Sequence, residues 1–405
     1  MTRPVKAFAA FAAAALLAAG CASKTDNGAN DNDSELKSLP VQTSIDVPAD
    51  AVTAAGDGNA KCPEGTTIGY AGAMTGADAQ LGINIYNGVQ LAIDQHNKNN
   101  PGCEVKFKKF DTEGDPAKAT GPVTQVINDK SIIGVIGLPF SGESKATGKI
   151  FEDAGLVHIT PSATNPELTK NGWTTFFRGM GNDNVQGPAV AVLAKKLDAK
   201  KVYVVGDDTD YGIGLFKTST EGLGSTLAGT DKVTKGQKDF SATISKILHA
   251  KPDAVFYSGY YSEGAPLDQQ LVAKGFKGVF IGPDGVKDEQ FVKLAGSASS
   301  NAYFTCPCLP GDLIPDFADA YKKAFKAAPG TYSIEGYDTA IVLLQGIDKG
   351  NTTREKLHKF VEGYSGQGYA KSYKWGTDGE LTETPVFGYK VDNGKIVSVG
   401  SLDNN

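Results

Sequence analysis

Two strand ends separated by one short helix carry the residues with the clearest chemistry. The first strand, Ile132–Gly137, opens into Leu138-Pro139-Phe140-Ser141-Gly142-Glu143-Ser144. The second, Val157–Thr160, is followed at once by Pro161-Ser162-Ala163-Thr164-Asn165-Pro166. Each is an apolar run that stops in a loop bearing hydroxyls, with helical sequence straight after. In a parallel sheet such neighbouring ends line a crevice where free backbone N–H groups and positive helix N-termini collect. Ser141, Ser162 and Thr164 placed there suit a carboxylate. No nucleophile, base and orienter can be assembled around them, so the crevice reads as a place to hold a ligand, not to convert one.

A second set of loops suits the opposite charge. Val255-Phe256-Tyr257 leads to Tyr260-Tyr261-Ser262-Glu263, a helix, and then Ile281-Gly282-Pro283-Asp284-Gly285, a weak repeat of the first arrangement. Two such lobes facing each other across a cleft would set Asp284, suited to an ammonium, against the hydroxyls. Tyr260 and Tyr211, the latter in Gly206-Asp207-Asp208-Thr209-Asp210-Tyr211-Gly212, add aromatic surfaces with polar tips. The combination fits an α-amino acid zwitterion. Charge-assisted hydrogen bonds contribute about 1.5–3 kcal/mol each. Three or four of them, less association costs, give a micromolar complex near about −8 kcal/mol.

Plainer roles exist for the same residues. Ser162 and Thr164 also fit as helix N-caps, Asp284-Gly285 as a turn, Glu143 and Glu263 as solvated first-turn acids, and His158 as a core residue. Enzyme signatures are missing. Gly142 to Lys149 lacks phosphate-loop spacing and has Ile150 where Ser or Thr is required. Gly222-Leu223-Gly224 follows no strand, and no Gly-x-Ser-x-Gly elbow occurs. The expectation is a binding protein without catalytic residues, cofactor or metal.

The elements that must position these loops alternate from Thr67 onward. Strand-like runs at Thr67–Ala71, Val105–Phe110, Ile132–Ile136, Val157–Thr160, Val202–Val205, Ala254–Tyr257, Val279–Ile281 and Ala302–Phe304 have helical sequence between them. Repeated β-α units predict an α/β fold with parallel sheets covered on both faces. Val386–Val391, Asn393-Gly394 and Ile396–Val399 predict a C-terminal antiparallel hairpin.

At 405 residues two domains are expected, and 40% apolar with 21% charged residues excludes disorder for the body. Net charge is −6, or −8 without Arg3 and Lys6, the charged residues of the first twenty. No basic stripe is present to neutralise phosphates, which argues against nucleic acid. Arg3 and Lys6 precede an apolar run, Ala7 to Ala19, too short to span a membrane. Ala18-Ala19-Gly20-Cys21 resembles a bacterial lipoprotein cleavage box, with Ala18 where leucine is usual; Cys21 would be the lipidated residue. The alternative is an ordinary cleaved signal with an incidental cysteine. Residues 21–61 are largely small and polar, which predicts a flexible tether.

Four further cysteines suit an oxidising compartment. Cys62 and Cys103 each precede a strand, so parallel neighbouring strands would bring them together as a disulfide. Cys306-Pro307-Cys308 could be a local disulfide or two free thiols. Two cysteines alone cannot build a tetrahedral zinc site, and His96, His158, His249 and His358 show no ligand spacing.

From about Thr66 to Val399 the chain resembles the type I periplasmic binding proteins, in particular the leucine/isoleucine/valine-binding branch serving ABC importers. The marks include Gly72-Ala73-Met74-Thr75-Gly76, Asp115-Pro116, Ile159-Thr160-Pro161, Pro166-Glu167-Leu168, Gln186-Gly187-Pro188, Tyr211-Gly212, Lys238-Asp239-Phe240-Ser241 and Gly282-Pro283. The resemblance implies two Rossmann-like lobes joined by a three-strand hinge, with crossovers near 180, 308 and 373. Residues 62–181 with 308–372 would form one lobe, and 182–307 with 373–405 the other. Ser141 with Ser162, Ala163 and Thr164 would hold the ligand's carboxylate and amine, and Tyr260 and Asp284 would complete amine recognition. It also implies a monomer, anchored by lipid outside the cell membrane, that delivers an amino acid to a permease. The side-chain pocket departs from the family: Leu81 stands where an aromatic is familiar, Phe140 where a small residue is, Tyr332 where phenylalanine is, and Asp284 where glutamate is. A branched-chain or other apolar amino acid is the leading ligand. A sensor module of the same fold, and a receptor for an amide, urea or aromatic acid, are the alternatives.

Overall fold

The computed structural model describes residues 36–403. The expected signal over 1–20, the lipidated Cys21 and the tether as far as residue 35 lie outside the described residues. The first part of the body comprises β1 (Thr67–Gly72), α1 (Ala79–Asn99), β2 (Lys106–Asp111), α2 (Pro116–Asn128), β3 (Ile132–Gly137), α3 (Ser141–Asp153), β4 (His158–Thr160) and β5 (Phe176–Arg178). There follow α4 (Asp183–Lys196), β6 (Val202–Gly206), α5 (Asp210–Leu223), β7 (Leu227–Lys232), α6 (Ser241–Ala250), β8 (Ala254–Ser258), α7 (Tyr261–Ala273), β9 (Val279–Gly282), α8 (Glu289–Ala295) and β10 (Ala302–Cys306). The chain ends with α9 (Pro315–Phe325), α10 (Ser333–Asp348), α11 (Arg354–Glu362), the short ribbon β11 (Ser365–Gln367) and β12 (Ser372–Lys374), and the hairpin β13 (Phe387–Asp392) and β14 (Lys395–Ser401).

Two sheets result. One is parallel throughout, in the order β2-β1-β3-β4-β5. The other runs β14-β13-β10-β9-β8-β6-β7, parallel except for β13 and β14. Every residue of β1, β3, β6 and β8 is buried. Strands covered by helices on both faces must be largely apolar, and these are, with Thr67 and Ser258 the polar residues at their ends. The chain passes between the sheets three times, after β5, β10 and β12, because α10 and α11 return to pack on α1 and β3. At the α1–α10 contact a Cβ on Gly88 would stand 1.9 Å from the carbonyl oxygen of Ser333, so only glycine lets the two backbones meet. The β13–β14 turn uses Asn393 and Gly394, both left-handed at φ 48° and 76°, which matches the strand twist. Cys62 and Cys103 are joined by a disulfide, and so are Cys306 and Cys308. Among the described residues no helix is long and apolar enough to cross a membrane.

The stretch expected to be a free tether departs from that expectation after residue 35. Lys37 N–H donates to Leu197 O (2.9 Å) at the end of α4, and Gln42 N–H to Ser398 O (2.8 Å) on β14. Further on, Val52 N–H donates to Gln367 O (2.8 Å), and Ala54 N–H to the Tyr337 hydroxyl (3.3 Å) on α10. Leu36, Leu39, Ile45 and Val52 pack on the core, and Ala54 and Ala60 are buried. Residues 36–61 are therefore a strap, fixed first to the second sheet and then to the helices of the first. Its low apolar content misled because it is held mainly through backbone bonds to edges left open by β14 and β11. Deleting residues 36–61 is expected to lower the unfolding free energy by about 2 kcal/mol, since a handful of bonds at about 1 kcal/mol each is partly offset by ordering entropy. Urea titration checks this; an unchanged midpoint would remove the strap's structural role.

Candidate functional site

The C-terminal ends of β3, β4, β8 and β9 converge on one narrow cavity. It leaves about 20 Å³ for the centre of a water molecule, room for a single water. Its lining includes Leu81, Phe140, Ser141, Ser162, Tyr211, Tyr260, Asp284 and Tyr332, all named from sequence, together with Pro139 and Gly285. Ala163 and Thr164 are buried beside it without lining it.

On the first sheet's side, β3 stops at Gly137, whose φ of 131° and whose closeness to Ala71 O (2.0 Å from an added Cβ) exclude any other residue. The chain then turns so that Ser141 is the first residue of α3, with the helix N-terminus behind it. The Ser141 hydroxyl accepts from Asn165 N–H (3.2 Å), tying the two loops together. Ser162 does not cap a helix; its hydroxyl donates to Pro139 O (2.8 Å). Thr164 is no cap either, since Asn165 caps the short 3-10 turn Pro166–Asn171 that stands where helical sequence was expected, accepting from Glu167 N–H (2.8 Å). The Thr164 hydroxyl is buried facing Asp183 without closing a full hydrogen bond.

Arg178, which sequence reading passed over because β5 is only three residues long, holds the second loop. Its side chain is fully buried. The guanidinium donates to Ala163 O and to Asn165 O (2.9 Å), and pairs with Glu380 (2.9 Å) on the crossover after β12. Trp375 Nε1–H donates in turn to Arg178 O (2.7 Å).

Asp284 enters from the second sheet's side at the end of β9. It is 3% exposed. One oxygen accepts from the Tyr211 hydroxyl (2.6 Å) and the other from Tyr332 (3.0 Å). Burial raises its carboxyl above the usual range, and among the described residues no cation pairs with it. Asp183, wholly buried nearby, is pushed up to about 8 by burial and then by Asp284. The ring of Tyr260 meets Phe140 edge-on (centroids 5.0 Å) and Tyr211 at a tilt (5.0 Å), so aromatics from both sides close over the cavity.

Two expectations about acids fail. Glu143 and Glu263 are buried, not solvated, because their helix faces turn inward to the cleft walls. Burial pushes Glu143 up to about 8, so it is neutral at pH 7, whereas Glu263 pairs with Lys235 (2.9 Å). His158 is a core residue: it stacks on Phe151 (4.1 Å) and burial pushes it down to about 3, leaving a neutral ring far from acid–base duty.

The two sides touch at further points. Asn165 Nδ2 donates to Asp210 O (2.6 Å), Lys145 pairs with Asp210 (2.6 Å), and Asn84 Nδ2 donates to Asp288 (2.9 Å). The cleft is shut, its walls linked by polar bonds at the rim. The groups that line it suit a small zwitterion, for which the shut cavity, with room for one water, must first open.

Comparison with known proteins gives the relatives of this arrangement. A family model described as periplasmic binding protein matches residues 65–395. The leucine-, isoleucine-, valine-, threonine-, and alanine-binding protein of Pseudomonas aeruginosa is 31% identical over 344 residues, covering 78% of this chain and 91% of the relative. The Leu/Ile/Val-binding protein of Escherichia coli K12 is 30% identical over 332 residues, covering 80% and 90%. Among solved structures, the branched-chain amino acid transporter substrate binding protein LivJ of Streptococcus pneumoniae, in complex with isoleucine, superposes with a TM-score of 0.76 at 26% identity, covering 82% of this chain and 97% of that one.

Proposed function

The chain belongs to the periplasmic binding protein family, and on that premise we propose that it captures an apolar α-amino acid by lobe closure and delivers it to an ABC permease. The family consists of extracytoplasmic solute-binding proteins of ABC transporters, not enzymes, and its fold is the type I arrangement of two α/β lobes. The observation that carries the reading is Asp284, a buried carboxylate held by two tyrosine hydroxyls and lacking a cation partner among the described residues. A ligand ammonium supplies that charge. The Ser141 hydroxyl, whose proton is free, and the α3 N-terminus take the carboxylate, with Ser162 beside them once it gives up its bond to Pro139 O, and Leu81, Phe140 and Tyr332 surround the side chain. Leucine, isoleucine and valine, bound by the relatives according to their names, are the first candidates.

The lobes comprise residues 62–181 with 308–372, and 182–307 with 373–405. The shut cavity has room for one water, so a ligand enters only when the lobes part, and seating it displaces Phe140, Tyr260 or Tyr332. Only a ligand with higher affinity for the closed state drives closure. The basic start, the short apolar run and Cys21 support secretion and a lipid anchor outside the cell membrane.

Thermal unfolding of the mature protein against amino acids, amides, urea, benzoate and sugars tests this. An apolar amino acid at a hundred times its Kd is expected to stabilise by about 2.7 kcal/mol. A response to benzoate or urea alone, or to no amino acid, would sink the reading.

A further inference from the structure

We propose that Lys235 is a positioning residue that clasps the two halves together over the cavity mouth and sets how fast a captured ligand escapes. The inference rests on capture by closure, and not on which ligand is captured.

Three elements meet at this point. Asp78 precedes α1 on the first side, Lys235 follows β7 on the second, and Ser262 and Glu263 open α7. The Lys235 ammonium pairs with the Asp78 carboxylate, with Glu263 (2.9 Å) and with the Ser262 hydroxyl (3.1 Å). Asp78 also accepts from Ser262 N–H (3.2 Å). The same ammonium lies 4.7 Å from the ring centre of Tyr260, a wall of the cavity. Its loop is held by a bond from Lys235 N–H to Asp208 (2.7 Å) and one from Gly236 N–H to Glu263 (2.9 Å). The cation is thus delivered to the rim by a fixed backbone.

Charge makes the arrangement more than a contact. Closure carries Asp78, 8% exposed, to within reach of Glu263, 1% exposed. Two carboxylates brought together out of water repel, and each loses hydration. Burial and the neighbouring Glu263 both disfavour an ionised Asp78, and Lys235, with a smaller contribution from Ser262, opposes them. When the halves part, Glu263 keeps Lys235, since both belong to the second side, and the bonds that break are those of Asp78, to Lys235 and to the N–H and hydroxyl of Ser262. Asp78–Lys235 is therefore the switched half of the triad, made in the closed state alone. Lys235 touches no part of the cavity's polar set, so it acts on release through Tyr260 and the rim.

The test uses the mature chain with leucine as the probe, and small-angle scattering without any ligand. Lys235→Ala and Asp78→Ala are each expected to raise the dissociation rate roughly tenfold, as truncating one partner of a hydrogen-bonded charge pair does, with association within about threefold. The double variant should lose no more than Asp78→Ala alone, which also gives up the Ser262 bonds, and Lys235→Arg should retain the slow rate. Scattering of unliganded Lys235→Ala should show a larger radius of gyration than wild type. Additive losses in the double variant, or wild-type dissociation and scattering in Lys235→Ala, overturn the clasp. If wild type ignores every amino acid while the variant still opens, the ligand reading has failed and the clasp stands. Asp78→Asn, which still accepts from Ser262 N–H but carries no charge, should release ligand as fast as Lys235→Ala, and so separates loss of the ion pair from misfolding of the rim.

Discussion

Asp284→Ala is expected to weaken amino-acid binding by at least about a hundredfold, while leaving the unliganded protein as stable as wild type or more so. A hydrogen-bonded buried charge pair loses roughly 2–5 kcal/mol when one partner is truncated, and tenfold in Kd is about 1.4 kcal/mol. The ligand's ammonium would be the group left unpaired. Without ligand the balance reverses. Burial already opposes an ionised Asp284, and Asp183, raised to about 8, feels it as a second negative charge. Removing the acid relieves both. Asp284→Asn refines the result, because an amide oxygen still accepts from Tyr211 or Tyr332 but carries no charge. Titration calorimetry should therefore place Asn near Ala. Binding within threefold of wild type in both variants would mean that no ammonium sits there.

Arg178→Met is expected to cost about 3–5 kcal/mol of stability, the range for leaving one member of a buried ion pair alone. The side chain is fully buried and serves three acceptors: Ala163 O, Asn165 O and Glu380. Methionine fills the space and satisfies none. Glu380 keeps only its bond from the Thr169 hydroxyl (2.9 Å), and the loop from Pro161 to Asn165 loses the post that fixes it. Ligand affinity should fall as well, since Ser162 belongs to that loop. Combining Arg178→Met with Glu380→Leu should recover part of the loss, as replacing both members of a buried pair with apolar groups often does. Urea denaturation measures both; a loss under 1 kcal/mol in the single variant would show the loop to be held by other means.

What the sequence revealed and concealed follows from the range of the forces involved. β1, β3, β6 and β8 were legible because wholly buried strands are largely apolar. The last hairpin was legible because Asn393-Gly394 encodes one turn. Ser141, Ser162, Tyr260 and Asp284 could be named because strand ends in a parallel sheet have a known geometry, whereas Leu81, Phe140 and Tyr332 were named through the family resemblance alone. β5 was missed for its three residues. β7, Leu227–Lys232, was missed because it lies at a sheet edge and is only half-buried. Arg178, Lys235 and Asp78 act through partners distant in sequence, and nothing near them announces it. Glu143 and Glu263 show the same limit: a first-turn acid is solvated or buried according to what packs on its helix.

The strap has a mechanical consequence. Its first bonds join Lys37 to Leu197 and Gln42 to Ser398, and only later ones reach Val52 and Ala54. A load applied upstream of residue 36 therefore meets the lobe that carries Asp284 before the other. Under the proposed lipid anchor at that end, this lobe would be the stator and the Ser141 lobe the rotor. A reporter fused before Leu36 would ride with the stationary part, and a second one on α2 would record each swing.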